Sequence, residues 1–262
     1  MSSAMAARML DSRASGFALV LLLLGIWETL SRSIPGLEFL LPPFSTVASA
    51  LGDMVWSGEL SLHTIATLKK FLYGYACAIA LGVPLGILIG YFRPLYNLTE
   101  PTLELLRPAP AIAILPLAVL ILGLDLRMQT FVIAWAAFWP ILSSSTDGVR
   151  SIDPILLDTA RTYGYRGGSL FRRVVLPGGL PYAMSGLRLG LTFALILAVF
   201  VEMFTSGSGL GSLISHYRET LGVAEVYAAI IAVALLGYAL NEIFVRLEKR
   251  LIRWHHVSRE AL

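Results

Sequence analysis

Charge is scarce in this chain. Asp, Glu, Lys and Arg make up 14% of its 262 residues and apolar residues 56%, whereas a soluble domain carries about 25% charged residues. That deficit excludes an ordinary water-soluble domain and points to a protein dissolved largely in lipid. Cysteine is nearly absent. Cys77 stands alone, which excludes an internal disulfide and a cysteine-built metal centre; in mid-span it reads as a small residue for helix packing. Lysine occurs only at Lys69, Lys70 and Lys249, never after glycine. A Gly-x4-Gly-Lys-Ser/Thr phosphate loop is therefore missing, and the chain has no means of holding ATP in that manner. Neither a His-Glu-x-x-His zinc pattern nor a Gly-x-Ser-x-Gly turn occurs, which leaves an intramembrane enzyme without a nucleophile and base to work with.

What the chain does have is long apolar sequence. A bilayer core about 30 Å thick takes roughly 20 apolar residues in helical form. Six stretches qualify: Gly16–Ile34, Leu68–Tyr91, Ala109–Leu124, Met128–Thr146, Ala183–Ser206 and Val226–Arg246. The expected fold is all-α, a polytopic membrane protein of six transmembrane helices in one domain over residues 1–262. Arg8 and Arg13 precede the first stretch as they would in a secretory signal. Trp27 and Glu28 lie inside it and no small-x-small cleavage site is present, so it reads as an uncleaved span.

The distribution of cations sets the orientation, because short cytoplasmic loops collect Lys and Arg. With six spans and an inner N-terminus, Arg8, Arg13, Arg93, Arg107, Arg150, Arg161, Arg166, Arg172, Arg173, Arg246, Lys249, Arg250, Arg253 and Arg259 fall inside. Arg32, Arg127 and Arg218 fall outside, while Lys69, Lys70 and Arg188 stand at span edges. Both termini and the loop 147–182 are thus expected to be cytoplasmic. The net charge of +3 then reflects topology and contact with anionic membrane lipid, and makes no case for nucleic acid.

Small residues recur every four positions in span two (Gly74, Ala78, Gly82, Gly86, Gly90) and in span five (Gly186, Gly190, Ala194, Ala198). Such ridges let helix backbones approach closely, within one chain or between two copies. Pro84, Pro116 and Pro140 interrupt spans two, three and four, each removing a backbone hydrogen bond; the kinks suit either a structure that opens and closes or static packing. Val47, Leu51, Met54 and Val55 share one face of an expected interfacial helix, and Trp56 and Trp254 fit aromatic belts.

The loop 147–182 carries its own helix signals. Asp153 before Pro154 is a cap followed by proline at the first helical position. Ile155, Leu156, Thr159, Ala160 and Tyr163 then share a face, and Gly164 ends the helix in the left-handed region. Tyr165, Arg166, Gly167 and Gly168 make a sharp connection. Ser169 is placed to cap a second short helix, with Leu170, Phe171, Val174 and Val175 apolar, which Pro177 and Pro181 are expected to stop before the fifth span. The hairpin reads equally as an amphipathic element on the headgroups or as a docking element for a soluble partner.

Glu28, Glu202 and Glu242 fall in or near spans, where a carboxylate is costly. Glu202, late in span five, is the candidate for holding an outer gate or lining a translocation path. Ser143, Ser144, Ser145 and Thr146 end span four; they could wet a passage, although serines there commonly bond back to their own helix. Gly207, Gly209 and Gly211 suggest a tight outer loop. His255 and His256 beside Trp254 read as an interfacial tail, and the Asn97-Leu98-Thr99 sequon falls inside, where it carries no meaning.

The loop resembles the signature of the inner-membrane permease subunits of ABC importers that work with a substrate-binding protein: Glu-Ala-Ala, three residues, Gly, nine residues, Ile-x-Leu-Pro. It stands here as Asp158-Thr159-Ala160, Gly164 and Val174-Val175-Leu176-Pro177, with both spacings kept. Asp for Glu and Thr for Ala depart from the pattern but keep the acid and the small size. GVPLGILIG at 82–90, RPAPAIAILPL at 107–117, LPYAMSGLRLG at 180–190, GSGLGSLI at 207–214 and RLEKRLIRW at 246–254 are similar to the nitrate, sulfonate and taurine branch. The resemblance implies a permease domain that binds no cofactor itself, a cytoplasmic ABC ATPase dimer carrying ATP and magnesium, a periplasmic or lipid-anchored substrate-binding protein, and a second copy of the chain. It further implies that Asp158, Thr159, Ala160, Tyr163, Gly164, Tyr165, Arg166, Gly167, Leu176 and Pro177 belong to a coupling-helix hairpin that fits a cleft of the ATPase. The solute it implies is a small anion such as nitrate, bicarbonate, a sulfonate or taurine. The competing reading is a self-contained secondary transporter or channel driven by a gradient through its carboxylates. Uptake that survives a protonophore and needs an added ATPase separates the two.

Overall fold

The computed structural model describes residues 13–106, 111–205 and 207–252, with side chains from residue 18 onward. The expectations for Arg8, Arg107, Arg253, Trp254, His255, His256 and Arg259 lie outside the described residues. Among the described residues every regular element is a helix. In chain order these are α1 (Arg13–Ser33), a single turn at Leu37–Phe39, α2 (Phe44–Trp56), α3 (Glu59–Tyr91), α4 (Arg93–Leu106), a turn at Ala111–Ile114, α5 (Leu115–Leu122), α6 (Leu126–Arg150) and α7 (Pro154–Thr162). They are followed by α8 (Gly168–Glu202), α9 (Leu210–Glu219) and α10 (Val223–Leu251).

Three helices, α3, α8 and α10, are long and apolar enough to cross a membrane, or up to five spans if each of two bent pairs counts as one. One bent pair turns by 120° between Ala18–Ser33 and Leu37–Trp56; the other joins α4 to the segment Ala111–Leu122. Helix α6 is outside that set. It packs against α5 and most extensively against α8, and a helix enclosed by protein has no need of an evenly apolar surface.

The described chain forms two compact units, one within residues 1–62 and 213–232, the other within residues 63–212 and 233–262. In the first, Trp27 holds α1 to α2. Its ring lies 5.7 Å from both Phe44 and Tyr227, and its Nε1 donates to the Pro42 carbonyl at 3.0 Å. Glu28 accepts from Arg32 at 2.7 Å and from the Ser45 backbone N–H at 3.0 Å, so this carboxylate fastens the start of α2. Val47 and Met54 are buried, whereas Val55 and Trp56 are exposed.

The second unit is centred on α6. The small-residue ridge of α3 lies along it: a Cβ on Gly82 would stand 2.9 Å from Ile141, and one on Gly86 would stand 2.6 Å from the Leu142 carbonyl. Gly74 faces Ile133, and Gly90 faces Thr146 and Val149. The ridge of α8 meets the same helix, with Gly186 against Ser144 and Gly190 against Ile141 and the Ala137 carbonyl. Ala78, Ala194 and Ala198 are buried in the same core as Phe71, Ile133 and Ile141. Both ridges thus find their partner within this chain, because only small side chains let the backbones of α3 and α8 converge on one helix.

Two expectations need correction. Cys77 is exposed on the outward face of α3, since the ridge places Gly74 and Ala78 inward and Cys77 one position off that stripe. Pro116 sits in the first turn of α5 and does not interrupt a helix, because the first-turn N–H it lacks has no intrahelical partner anyway. Pro84 and Pro140 do lie inside α3 and α6.

Candidate functional site

Two groups of residues stand out in the second unit, one near each end of α8, which at 35 residues runs about 50 Å. The first is the hairpin around α7. Asp153 caps it, its Oδ1 accepting from the Ile155 N–H at 2.8 Å. At the other end the Tyr165 N–H donates to the Ala160 carbonyl at 3.0 Å and the Gly164 N–H to the Arg161 carbonyl at 3.0 Å. These two bonds close a Schellman turn, which needs a left-handed residue at position 164; Gly164 has φ +87. The spacing from Ala160 to Gly164 is therefore the geometry of a helix stop. Ala160, the third residue back from the cap, is the one buried residue of α7.

Ala160 and Leu157 turn inward, but Ile155 and Leu156 of α7 and Tyr163 at its cap are left bare. Ile155 is 74% exposed, Tyr163 80%, and Leu156 is exposed as well. Asp158 is used in an exposed pair with Arg161 at 2.8 Å, the kind worth little in water, while Thr159 bonds back to the Ile155 carbonyl at 2.7 Å. Tyr165 receives Arg173, whose guanidinium carbon lies 5.4 Å from its ring centroid. What holds the hairpin down is a small core of Val149, Ile152 and Val175, with Leu157, Phe171, Ile87 and Tyr91 packed on it.

The second half of the hairpin differs from expectation. Pro177 and Pro181 do not stop a short helix; α8 runs unbroken from Gly168 to Glu202. Proline cannot donate to the carbonyl four residues back and crowds it. The chain answers with a wide turn over Phe171–Val175, where the Leu176 N–H bonds to the Phe171 carbonyl five residues back. Ser169 is not the cap either. Gly167, with φ +52, holds that position, and the Ser169 hydroxyl instead accepts from the Arg166 N–H at 3.0 Å and donates to the Arg166 carbonyl at 2.8 Å. Leu176 is part exposed and Pro177 half-buried at the start of the long helix.

The second group surrounds Glu202, whose side chain is wholly buried. Its Oε2 accepts from the Thr67 hydroxyl at 2.8 Å and the Gly211 N–H at 3.1 Å, and its Oε1 lies 3.1 Å from the Lys70 ammonium. Lys70 also donates to the Ser208 carbonyl. The Thr67 hydroxyl accepts from the Leu210 N–H at 2.8 Å, and His63 Nδ1 lies 3.0 Å from the Gly209 N–H. The glycine-rich run after α8 is thus wrapped around one carboxylate and tied to the beginning of α3. A Cβ on Gly209, at φ +137, would run into the Glu202 carboxyl, and one on Gly211 would stand 2.7 Å from the Glu202 Cβ. No local sequence pattern points to His63, Thr67 and Lys70 as partners of Glu202; the one local signal is a cation where α3 begins.

The serines of α6 separate. Ser144 packs against Gly186, whereas Ser143 lines a small polar cavity of about 90 Å³ with Tyr96, Glu100, Glu104 and Asp147. Thr146 bonds to the Leu142 carbonyl at 2.9 Å and across to the Gly86 carbonyl at 3.1 Å. Glu242 pairs with Arg246 at 2.9 Å in the open. Among the described residues no cluster of His, Cys, Asp and Glu could hold a metal ion.

Span-length apolar helices packed in one bundle are the material of a membrane transport subunit. The model of the binding-protein-dependent transport system inner membrane component matches residues 82–253. The chain belongs to that family. The taurine transport system permease protein TauC of Escherichia coli is 30% identical over 89% of this chain and 86% of its own length. The Bacillus subtilis protein SsuC, named for aliphatic sulfonates, is 30% identical over 92% of this chain and 87% of its own. The nitrate import permease protein NrtB of Synechocystis is 28% identical over 74% and 70%. This permease is accordingly a multi-pass, non-catalytic transport subunit of the ABC importer class, in the nitrate, sulfonate and taurine branch.

Proposed function

We propose that this permease forms, as a homodimer of six-span subunits, the translocation path for a small anion of the nitrate, bicarbonate, sulfonate or taurine type. A periplasmic or lipid-anchored binding protein delivers the solute. The hairpin 147–182 is the coupling element: it fits a cytoplasmic ABC ATPase dimer, which carries ATP and magnesium, and passes that enzyme's closure to the spans. The chain itself holds no cofactor, and both termini share the cytoplasmic side with the hairpin. The observation that carries the reading is the exposed ridge of Ile155, Leu156 and Tyr163 on a helix rigidly closed at both ends. Apolar side chains bare on a capped helix are suited to a partner's cleft. A gradient-driven carrier would need a carboxylate that exchanges protons with a passage. Glu202 is instead committed to Thr67, Lys70 and Gly211.

The test replaces Ile155→Asp and Tyr163→Asp, singly and together, in cells carrying the partner ATPase and binding protein. Co-purification of the ATPase and ATP-driven uptake of labelled nitrate or taurine should both collapse while the permease stays in the membrane. Retention of the ATPase by the double variant would sink the reading. A cysteine placed at Arg166 should be labelled by an impermeant maleimide only after cells are opened.

A further inference from the structure

Two span-length helices end side by side next to the hairpin. Helix α3 closes at Tyr91 and α8 opens at Gly168, and between them lies a groove of about 630 Å³. Ile87, Leu88 and Tyr91 form one wall, and Gly168, Phe171 and Leu176 the other; none of the residues lining it is charged. Leu88 is 45% exposed and Phe92, at the mouth, 50%. The α3 wall is the end of a span-length helix, and the apolar matter that a groove opening there would meet is a lipid acyl chain.

Cations stand one residue beyond those walls. Arg93 follows Phe92, Arg166 precedes Gly167 and Arg172 follows Phe171; all three are exposed, and none forms an ion pair with another described residue. An uncharged slot whose lining residues adjoin exposed arginines in the chain suits a molecule with a hydrocarbon tail and a phosphate head. Charge favours lipid over a second copy of this chain, whose own net charge is +3.

We propose that the groove between α3 and the start of α8 binds one acyl chain of an anionic glycerophospholipid, with its phosphate held by Arg93 and Arg172. Occupancy fills the space between α3 and the Gly167–Gly168 turn, so the lipid braces the hairpin against the bundle. The groove shares Gly167 and Leu176 with the hairpin proposed to meet the ATPase, but lipid retention is tested without the ATPase, so the two readings can fail separately.

The full chain, purified in detergent, is titrated with palmitoyl-oleoyl phosphatidylglycerol or with phosphatidylcholine of the same chains, and retained lipid is counted by native mass spectrometry. The anionic lipid should be retained in preference. Arg93→Gln and Arg172→Gln should each lower that preference about five-fold, the size of one juxtamembrane cation's attraction for anionic lipid. Leu88→Trp, which fills exposed groove, should weaken retention of both lipids, and glycerol phosphate without chains should displace neither. Equal retention of the two lipids by the native chain overturns the proposal, as do arginine variants with unchanged preference. So does disulfide linkage between Leu88→Cys chains, in a Cys77→Ser background in vesicles, since a second copy would then cover the groove.

Discussion

Lys70 holds its ammonium 3.1 Å from the buried carboxylate of Glu202, joining the beginning of α3 to the end of α8. The pair is shielded, with the Lys70 side chain only 12% exposed, so its two halves are unequal in what their loss does. Lys70→Met leaves a buried charge without compensation and should cost roughly 3–5 kcal/mol. Glu202→Gln keeps an oxygen for Thr67 and Gly211 and leaves a cation that can turn toward water, so the loss should be smaller. The double variant should recover much of the Lys70→Met loss, a coupling that thermal unfolding in detergent reads as a double-mutant cycle. Additive losses would mean the two groups do not act as a pair.

Ile141 is clasped between two glycines, Gly82 on α3 and Gly190 on α8. Gly82→Ala places a methyl group where Ile141 already stands, an overpacking that should cost about 1–3 kcal/mol. Ile141→Ala alone opens a cavity at a fully buried site and should cost roughly 2–5 kcal/mol. Together the two should cost less than their sum, because the new methyl enters the vacated space. The unfolding midpoint of the four proteins checks this.

Gly164 is needed for its backbone and not for space, as nothing lies within 4 Å of a Cβ built there. Gly164→Ala should therefore destabilise the turn by about 1–2 kcal/mol through the left-handed conformation alone, and Gly164→Asn by less. Hydrogen exchange should quicken at the Tyr165 amide, which is bonded to Ala160, and stay unchanged in α6. Unaltered exchange at Tyr165 would show that the turn does not depend on glycine.

Tyr217 lies outside the span-length helices and donates to the Glu59 carboxylate at 2.9 Å. Burial, with that carboxylate beside it, pushes its ionisation up to about 12. Its folded value is raised, so the contribution of the neutral phenol to stability is complete below its unfolded value near 10 and fades as pH rises through 12. The tyrosinate absorbance lost in Tyr217→Phe should titrate about two units above that of a free phenol. A difference spectrum centred near pH 10 would contradict the contact.

The parts of this protein legible in its sequence were those written within a few neighbouring residues. The cap at Asp153, the stop at Gly164 and the ridges of Gly74–Gly90 and Gly186–Gly190 are local patterns whose conformational preference needs no distant partner. Composition alone placed the chain in the membrane, since so few charges cannot clothe a soluble surface. Where local rules misled, a longer-range condition prevailed. Pro177 and Pro181 carry the usual mark of a helix stop, yet the wide turn at Phe171–Val175 lets α8 continue, and Val175 is buried against Val149 and Ile152.

What sequence by itself determined is therefore the solvent this chain lives in, the closed ends of α7 and the faces on which helices can approach. What only tertiary structure decided is which helix those faces meet, and that Glu202 clamps the glycine run to α3. The reason is physical: caps and ridges follow from backbone sterics over one or two turns, whereas the environment of a buried carboxylate is assembled from segments far apart in the chain, and no residue beside it in sequence reports who will arrive.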